Sequence, residues 1–268
     1  MKNIINKAIA ILAMGTVLVG CSNNNDDDEV ISGTGKLVVE FDNAFGSNDL
    51  ILNTQTNTTS QAEVLKISQI KYIISNIVLT KADGTTLTYP KNDSYFIVDE
   101  ATDDSHEIEL ENIPAGDYTK IKFGIGVDKA QWELGATGQG DFLTQAQDAG
   151  MLWSWSAGYK FIAFEGTFTS SSVTTDTSFM VHTGQTGTDY NYTEVTLTLP
   201  SNALVRTTIT PEIHVIAEVS KIIDGTNKIK LSDNNMGGMG AMIMGGAQLP
   251  LITANLNGMF TVAHVHND

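Results

Sequence analysis

The chain has one cysteine, Cys21, among 268 residues. No intrachain disulfide is available, so whatever domain follows must stand on its hydrophobic core. Cations are scarce as well: 15 Lys and Arg face 31 Asp and Glu, for a net charge of −16. That anionic balance argues against nucleic acid or anionic lipid as a partner and is compatible with cations. Beyond the first twenty residues no run is apolar enough to span a bilayer, and no long Pro- or Gly/Ser-rich linker divides the chain. Enzyme signatures are missing too: there is no G-x-S-x-G elbow, no H-E-x-x-H and no P-loop. Ser68-x-x-Lys71 has a serine–lysine spacing without partner motifs. The expectation is a protein that is not an enzyme.

What is present begins at the N-terminus. Lys2 and Lys7 precede an almost wholly apolar stretch, Ala8–Val19, that ends in Leu18-Val19-Gly20-Cys21. A dozen residues are too few for about 30 Å of hydrocarbon, so the segment reads as a cleaved export signal. L-V-G-C resembles the lipobox of bacterial lipoproteins, which implies lipid on Cys21 as the membrane anchor. The alternative is an ordinary secretory signal that happens to contain a cysteine. Cleavage would remove two lysines and make the chain two units more negative. The run Ser22-Asn23-Asn24-Asn25-Asp26-Asp27-Asp28-Glu29 cannot bury apolar surface and reads as a solvated tether. It also resembles the acidic export signal of Bacteroidetes-type lipoproteins. The expected division is signal peptide 1–20, tether 21–34 and one β-domain 35–268, on an outer-membrane lipoprotein facing the periplasm or the cell surface.

The rest reads as strands. Lys36–Phe41 opens the domain. Val64–Thr80 has Ile67, Ile70, Ile73, Ile74 and Ile77 at helix-like spacing, but it is rich in β-branched residues and ends at Asp83-Gly84, a hairpin signal. It is read as a strand pair or a bent strand. Tyr95–Asp99, His106–Leu110, Tyr118–Val127, Tyr159–Thr169, Ser178–His182, Glu194–Leu199, Ile209–Ile223 and Leu249–His266 follow, the second and third alternating as half-buried strands do (EIEL, KIKFGIGV). These predict an all-β fold, an antiparallel, Greek-key-like β-sandwich with long loops at one end. Gln131–Gly150 is expected to be one such loop, and Asn234–Gly246 (NNMGGMGAMIMGG) too glycine-rich for a regular element.

Candidate chemistry is sparse. In Met151-Leu152-Trp153-Ser154-Trp155, two indoles at i and i+2 share one face if extended; the blander account is core packing. Met236, Met239, Met242 and Met244 place four thioethers within nine residues. Such soft donors favour Cu(I), unless they fold back as apolar cover. His264 and His266 at i, i+2 suit two imidazoles on one ion, or a frayed tail. His182 ends a strand-like run and is a candidate ligand. His106 and His214 are read as surface or satisfied histidines.

Gly126-Val127-Asp128, a long loop, Met151-x-Trp153-x-Trp155-x-x-Gly158-Tyr159-Lys160-Phe161 and Glu165-Gly166 resemble the core signature of the MbnP-like copper-associated proteins. Ser75-Asn76-Ile77-x-Leu79 with Asp83-Gly84, the Ile113–Tyr118 turn and Asn255-Leu256-Asn257-Gly258-Met259-Phe260 fall in the same order. The resemblance implies a copper-binding protein in which a partner di-haem peroxidase-like enzyme oxidises one tryptophan, Trp153 or Trp155, to kynurenine, whose aromatic amine is a nitrogen donor for copper. It also implies His182 as a ligand. One departure is Asn43, which stands near where family members often carry a histidine. Two readings follow: a membrane-tethered copper handler, or a surface lipoprotein that binds a glycan or protein through Gln131–Gly150.

Overall fold

The computed structural model describes residues 31–154, 156–186 and 189–268. Cys21, the acidic tether and Trp155 lie outside the described residues. The chain begins with β1 (Thr34–Phe45), the two-residue β2 (Asn48–Asp49) and β3 (Asn57–Thr58), and the 18-residue β4 (Val64–Lys81). There follow β5 (Thr86–Thr88), which forms a hairpin with β4, β6 (Tyr95–Asp99), β7 (Glu107–Pro114) and β8 (Gly116–Ile125). Helices α1 (Lys129–Trp132) and α2 (Phe142–Asp148) interrupt before β9 (Leu152–Ser154), β10 (Gly158–Thr169) and β11 (Thr177–Thr186). The last third holds β12 (Asp189–Tyr190), β13 (Thr193–Val205), β14 (Pro211–Glu218), α3 (Lys221–Asp224), β15 (Ala241–Ile243), α4 (Gln248–Asn255) and β16 (Phe260–Asn267).

Two sheets result. The smaller runs β16-β14-β1-β2, with β7 also on β1; the larger runs β12-β11-β10-β4-β8-β13, with β15 added at β11. Pairing is mainly antiparallel, but β1 with β14 and β11 with β15 are parallel. Alternation decides the buried faces: Ile108 and Leu110 of β7, Ile121, Phe123 and Ile125 of β8, and Ile213, Val215 and Ala217 of β14 point inward. An edge-to-face cluster of Phe41, Tyr72, Phe123 and Phe260, with centroids 5.2 to 6.1 Å apart, joins the two sheets at the centre of the main core. A second, smaller core of Ile73, Val127, Phe142, Ala146, Met151, Tyr159, Phe161 and Ala163 forms where α1 and α2 cover the outer face of the larger sheet.

The structure differs from sequence expectation in several places. Val64–Thr80 is one strand, bent where Asn76 has φ +52° and the register against β8 slips between Ser75 and Val78. Gln131–Gly150 contains the second half of α1 and all of α2, because buried Phe142 and Ala146 give this polar segment an apolar side. Ile209–Ile223 is β14 followed by α3, and Leu249–His266 is α4 followed by β16. Pro250 falls in the first turn of α4, where the missing N–H costs nothing. The glycine-rich 234–246 segment does hold a short strand, β15.

Candidate metal centre

The Trp153 segment is shaped by a tight turn. The Ala157 N–H donates to Ser154 O at 3.1 Å, and Gly158, with φ +87°, lets β9 fold back onto β10. Met151, just before β9, is fully buried in the small core that also holds Phe142 and Ala146 of α2. Trp153 is half-buried on β9, its ring centroid 6.1 Å from that of His182 at an angle of 48°. Gly184, two residues beyond His182 on the same face of β11, makes room: a Cβ there would lie 2.9 Å from Trp153 Cζ3.

His182 is the best-defined donor. Its side chain is 4% exposed, and Nε2 lies 2.7 Å from Glu165 Oε1, which also accepts from Gln69 Nε2 at 3.2 Å. Nδ1 is buried with no hydrogen-bond partner. Burial pulls the imidazole pKa below its ordinary value of 6.5, with Glu165 opposing and Lys160 assisting. The ring is therefore neutral near pH 7. With Nε2–H donating to Glu165, the network assigns the free lone pair to Nδ1. A ring whose far N–H is held by a carboxylate while the other nitrogen stands unpartnered is the arrangement found behind metal-ligating histidines.

Register brings thioethers to the same face. Glu165 pairs with Met180, and Met180 pairs with Met242 of β15. Met180 is two residues before His182 on β11, so strand alternation puts both on one side. Sequence reading passed over Met180; the readable signal was Met180-x-His182 within an alternating strand. Met244 is half-buried two residues beyond Met242, whereas Met236 and Met239 are 49% and 61% exposed on the adjoining loop. Asn43 is buried in the small sheet, accepting from Tyr72 Oη and donating to Glu100 Oε2, both at 3.0 Å. It is a satisfied structural amide there.

His264 and His266 are separate from this centre. Both lie on β16, the edge strand of the small sheet, and the structure places His214 of β14 between them and Glu40. His214, read from sequence as a surface or satisfied histidine, is partly exposed between Glu40 and Glu212, and it also belongs to a three-imidazole cluster that the sequence reading did not foresee. Cross-strand pairing joined residues fifty positions apart, which no local pattern reveals. His106, by contrast, has Nε2 at 3.2 Å from Asp99 O.

Over the Gln131–Gly150 segment the dominant feature is Asp128, the N-cap of α1. Its carboxylate accepts from Asn76 Nδ2 at 3.0 Å, Tyr95 Oη at 2.8 Å, the Gln131 N–H at 3.1 Å and Lys91 Nζ. Burial alone would raise its pKa; these donors win and bring it to about 2. Beside it lies a cleft of about 680 Å³ lined by Tyr95, Phe96, Gln131, Gln139, Asp141 and Gln145.

The MbnP family model matches residues 34–243, which is most of the chain. The chain belongs to the MbnP family. That family is linked to copper. Among solved structures, MbnP from Methylosinus trichosporium is similar at 14% identity with a TM-score of 0.45, over 80% of this chain and 82% of that one. No curated protein matches. The MbnP match spans Trp153, Glu165, Met180, His182 and Met242 but stops before β16, so His264 and His266 fall outside it.

Proposed function

We propose that this MbnP-family chain is an envelope lipoprotein, anchored through Cys21, that binds copper as Cu(I) at His182 and works in copper acquisition or handling, not as an enzyme. The observation that carries the reading is the buried, unpartnered Nδ1 of His182 with Glu165 behind its Nε2. Met180 and Met242 on the same face add soft sulfur, which favours the monovalent ion. Trp153 is the tryptophan that the described structure sets beside His182, and its half-exposed ring is open to a partner enzyme. Conversion to kynurenine would cleave the indole C2–C3 bond with two oxygen atoms, drawn from two peroxide molecules that leave as water. Hydrolysis then releases formate and leaves an aryl amine within reach of the imidazole.

The test is an anaerobic Cu(I) titration of the mature protein against a chromogenic chelator, with tryptic mass mapping of protein from its native host. The expected result is one tightly held Cu(I), and the mass change of kynurenine on the peptide containing Trp153 and Trp155. Failure to compete with the chelator, with both tryptophans intact, would overturn the reading. The cleft beside Asp128 favours a second reading, recognition of a glycan by Tyr95, Phe96 and the neighbouring amides. Glycan-array binding abolished by Tyr95→Ala and indifferent to copper would support it.

A further inference from the structure

The outer face of the small sheet carries a cluster that only partly falls within the MbnP match, which takes in Glu40, Glu212 and His214 but ends before His264 and His266. In β14, Ile213 and Val215 point into the core, so Glu212 and His214 point outward. His214 pairs in register with Glu40 of β1 on one side and His264 of β16 on the other, and Glu212 pairs with His266. A bulge between His214 and Val215 in the β14–β16 ladder sits directly beside this row, and bulges of this kind re-aim neighbouring side chains. The ring centroids of His214 and His264 are 4.1 Å apart, those of His264 and His266 4.6 Å, and those of His214 and His266 5.2 Å. One ring nitrogen from each lies within 4.8 Å of the others.

The carboxylates complete the pattern. Glu40 contacts His214 Nδ1, and Glu212 Oε1 is 3.0 Å from His214 Nε2. Glu40 lies against Nδ1, so Nε2 is the nitrogen on the side where Glu212 and the other two imidazoles gather. A carboxylate orienting a histidine from behind is the usual support for a metal ligand. A tetrahedral ion with bonds of about 2.1 Å holds its nitrogens about 3.4 Å apart, so on binding the three imidazoles would draw in from within 4.8 Å of one another. Neutral imidazoles with one carboxylate make a borderline donor set that suits zinc or copper(II), in contrast to the soft sulfurs of the His182 face.

We propose that His214, His264 and His266, with Glu212, form a second metal site that binds one divalent ion of the zinc or copper(II) class on the exposed face of the small sheet. The site does not depend on the Cu(I) reading, because it shares no residue and no strand with the His182 centre.

The experiment uses the mature protein stripped with chelator and titrated calorimetrically with Zn²⁺, then with Cu²⁺ followed by electron paramagnetic resonance. Wild type is expected to bind one equivalent of Zn²⁺, and its Cu²⁺ spectrum to show hyperfine splitting from coordinated nitrogens. His264→Ala/His266→Ala, on exposed positions of an edge strand, should weaken Zn²⁺ at least tenfold, and the single His266→Ala serves if the double variant folds poorly. His182→Ala should leave Zn²⁺ binding unchanged, so loss of one site is distinguishable from loss of the other. No Zn²⁺ uptake by wild type, unchanged affinity in the His264/His266 variants, or half an equivalent shared between two copies would each overturn the proposal.

Discussion

The two histidine regions of this protein differ in nearly every physical respect. His182 is a single, almost fully buried imidazole on the larger sheet, flanked by an indole and thioethers and backed by one carboxylate. His214, His264 and His266 sit together on an open face of the smaller sheet, among carboxylates and without sulfur. Burial and soft donors favour a low-charge ion that needs little hydration, whereas exposure and borderline donors favour a divalent ion that keeps a solvent position. One β-sandwich thus offers two chemistries because its two sheets turn different outer faces to the surroundings.

The comparison breaks most sharply if His182 is removed. His182→Ala should weaken Cu(I) by more than about 100-fold, about 2.7 kcal/mol, in a chelator competition, while Zn²⁺ calorimetry reads as wild type. Equal loss at both sites would mean that the sheets are coupled and the contrast is false. Gly184→Ala comes next. Its Cβ would meet Tyr159 O at 2.5 Å and Trp153 Cζ3 at 2.9 Å, so backbone must move. The expected cost is about 1–3 kcal/mol in denaturant unfolding, together with weaker Cu(I) binding as Trp153 leaves His182. Glu165→Gln is milder. It keeps the volume but weakens the grip on Nε2–H, and should lower Cu(I) affinity about tenfold with little change in unfolding midpoint.

How much of this was legible in the sequence follows from where each signal lives. Period-two alternation is local, so EIEL and KIKFGIGV identified β7 and β8 and the faces they bury. α4 was hidden because eight residues, QLPLITAN, give too few turns for a periodic signal and carry the β-branched Ile252 and Thr253. β15 was hidden by its glycines, since its pairing with β11 is set sixty residues away. The Met151-x-Trp153 run and His182 were visible as residue types, but their relation was not. Met180 acquires meaning only once β10, β11 and β15 are in register, and His214 only once β14 and β16 are. Sequence reading found the donors that stand close in the chain, and tertiary pairing supplied the rest.

Acid should separate the two regions by the smallest but most diagnostic effect. Burial lowers the His182 pKa in the folded chain relative to its ordinary 6.5. Such a group stabilises the fold fully above the unfolded value, and that contribution is lost as pH falls through it toward the folded value. Thermal unfolding of metal-free protein should therefore move to lower temperature as pH drops below about 6.5, and His182→Asn should flatten that slope. The exposed cluster behaves differently. His264 is also held below 6.5, by desolvation and then by the charges of His214 and His266, but it stands in solvent, where screening leaves little to lose. His264→Asn should leave the acid slope of unfolding nearly intact. If the slope instead follows His264, the strain of acidification resides in the imidazole row on the small sheet, and the buried histidine is better shielded from protons than its unpartnered Nδ1 implies.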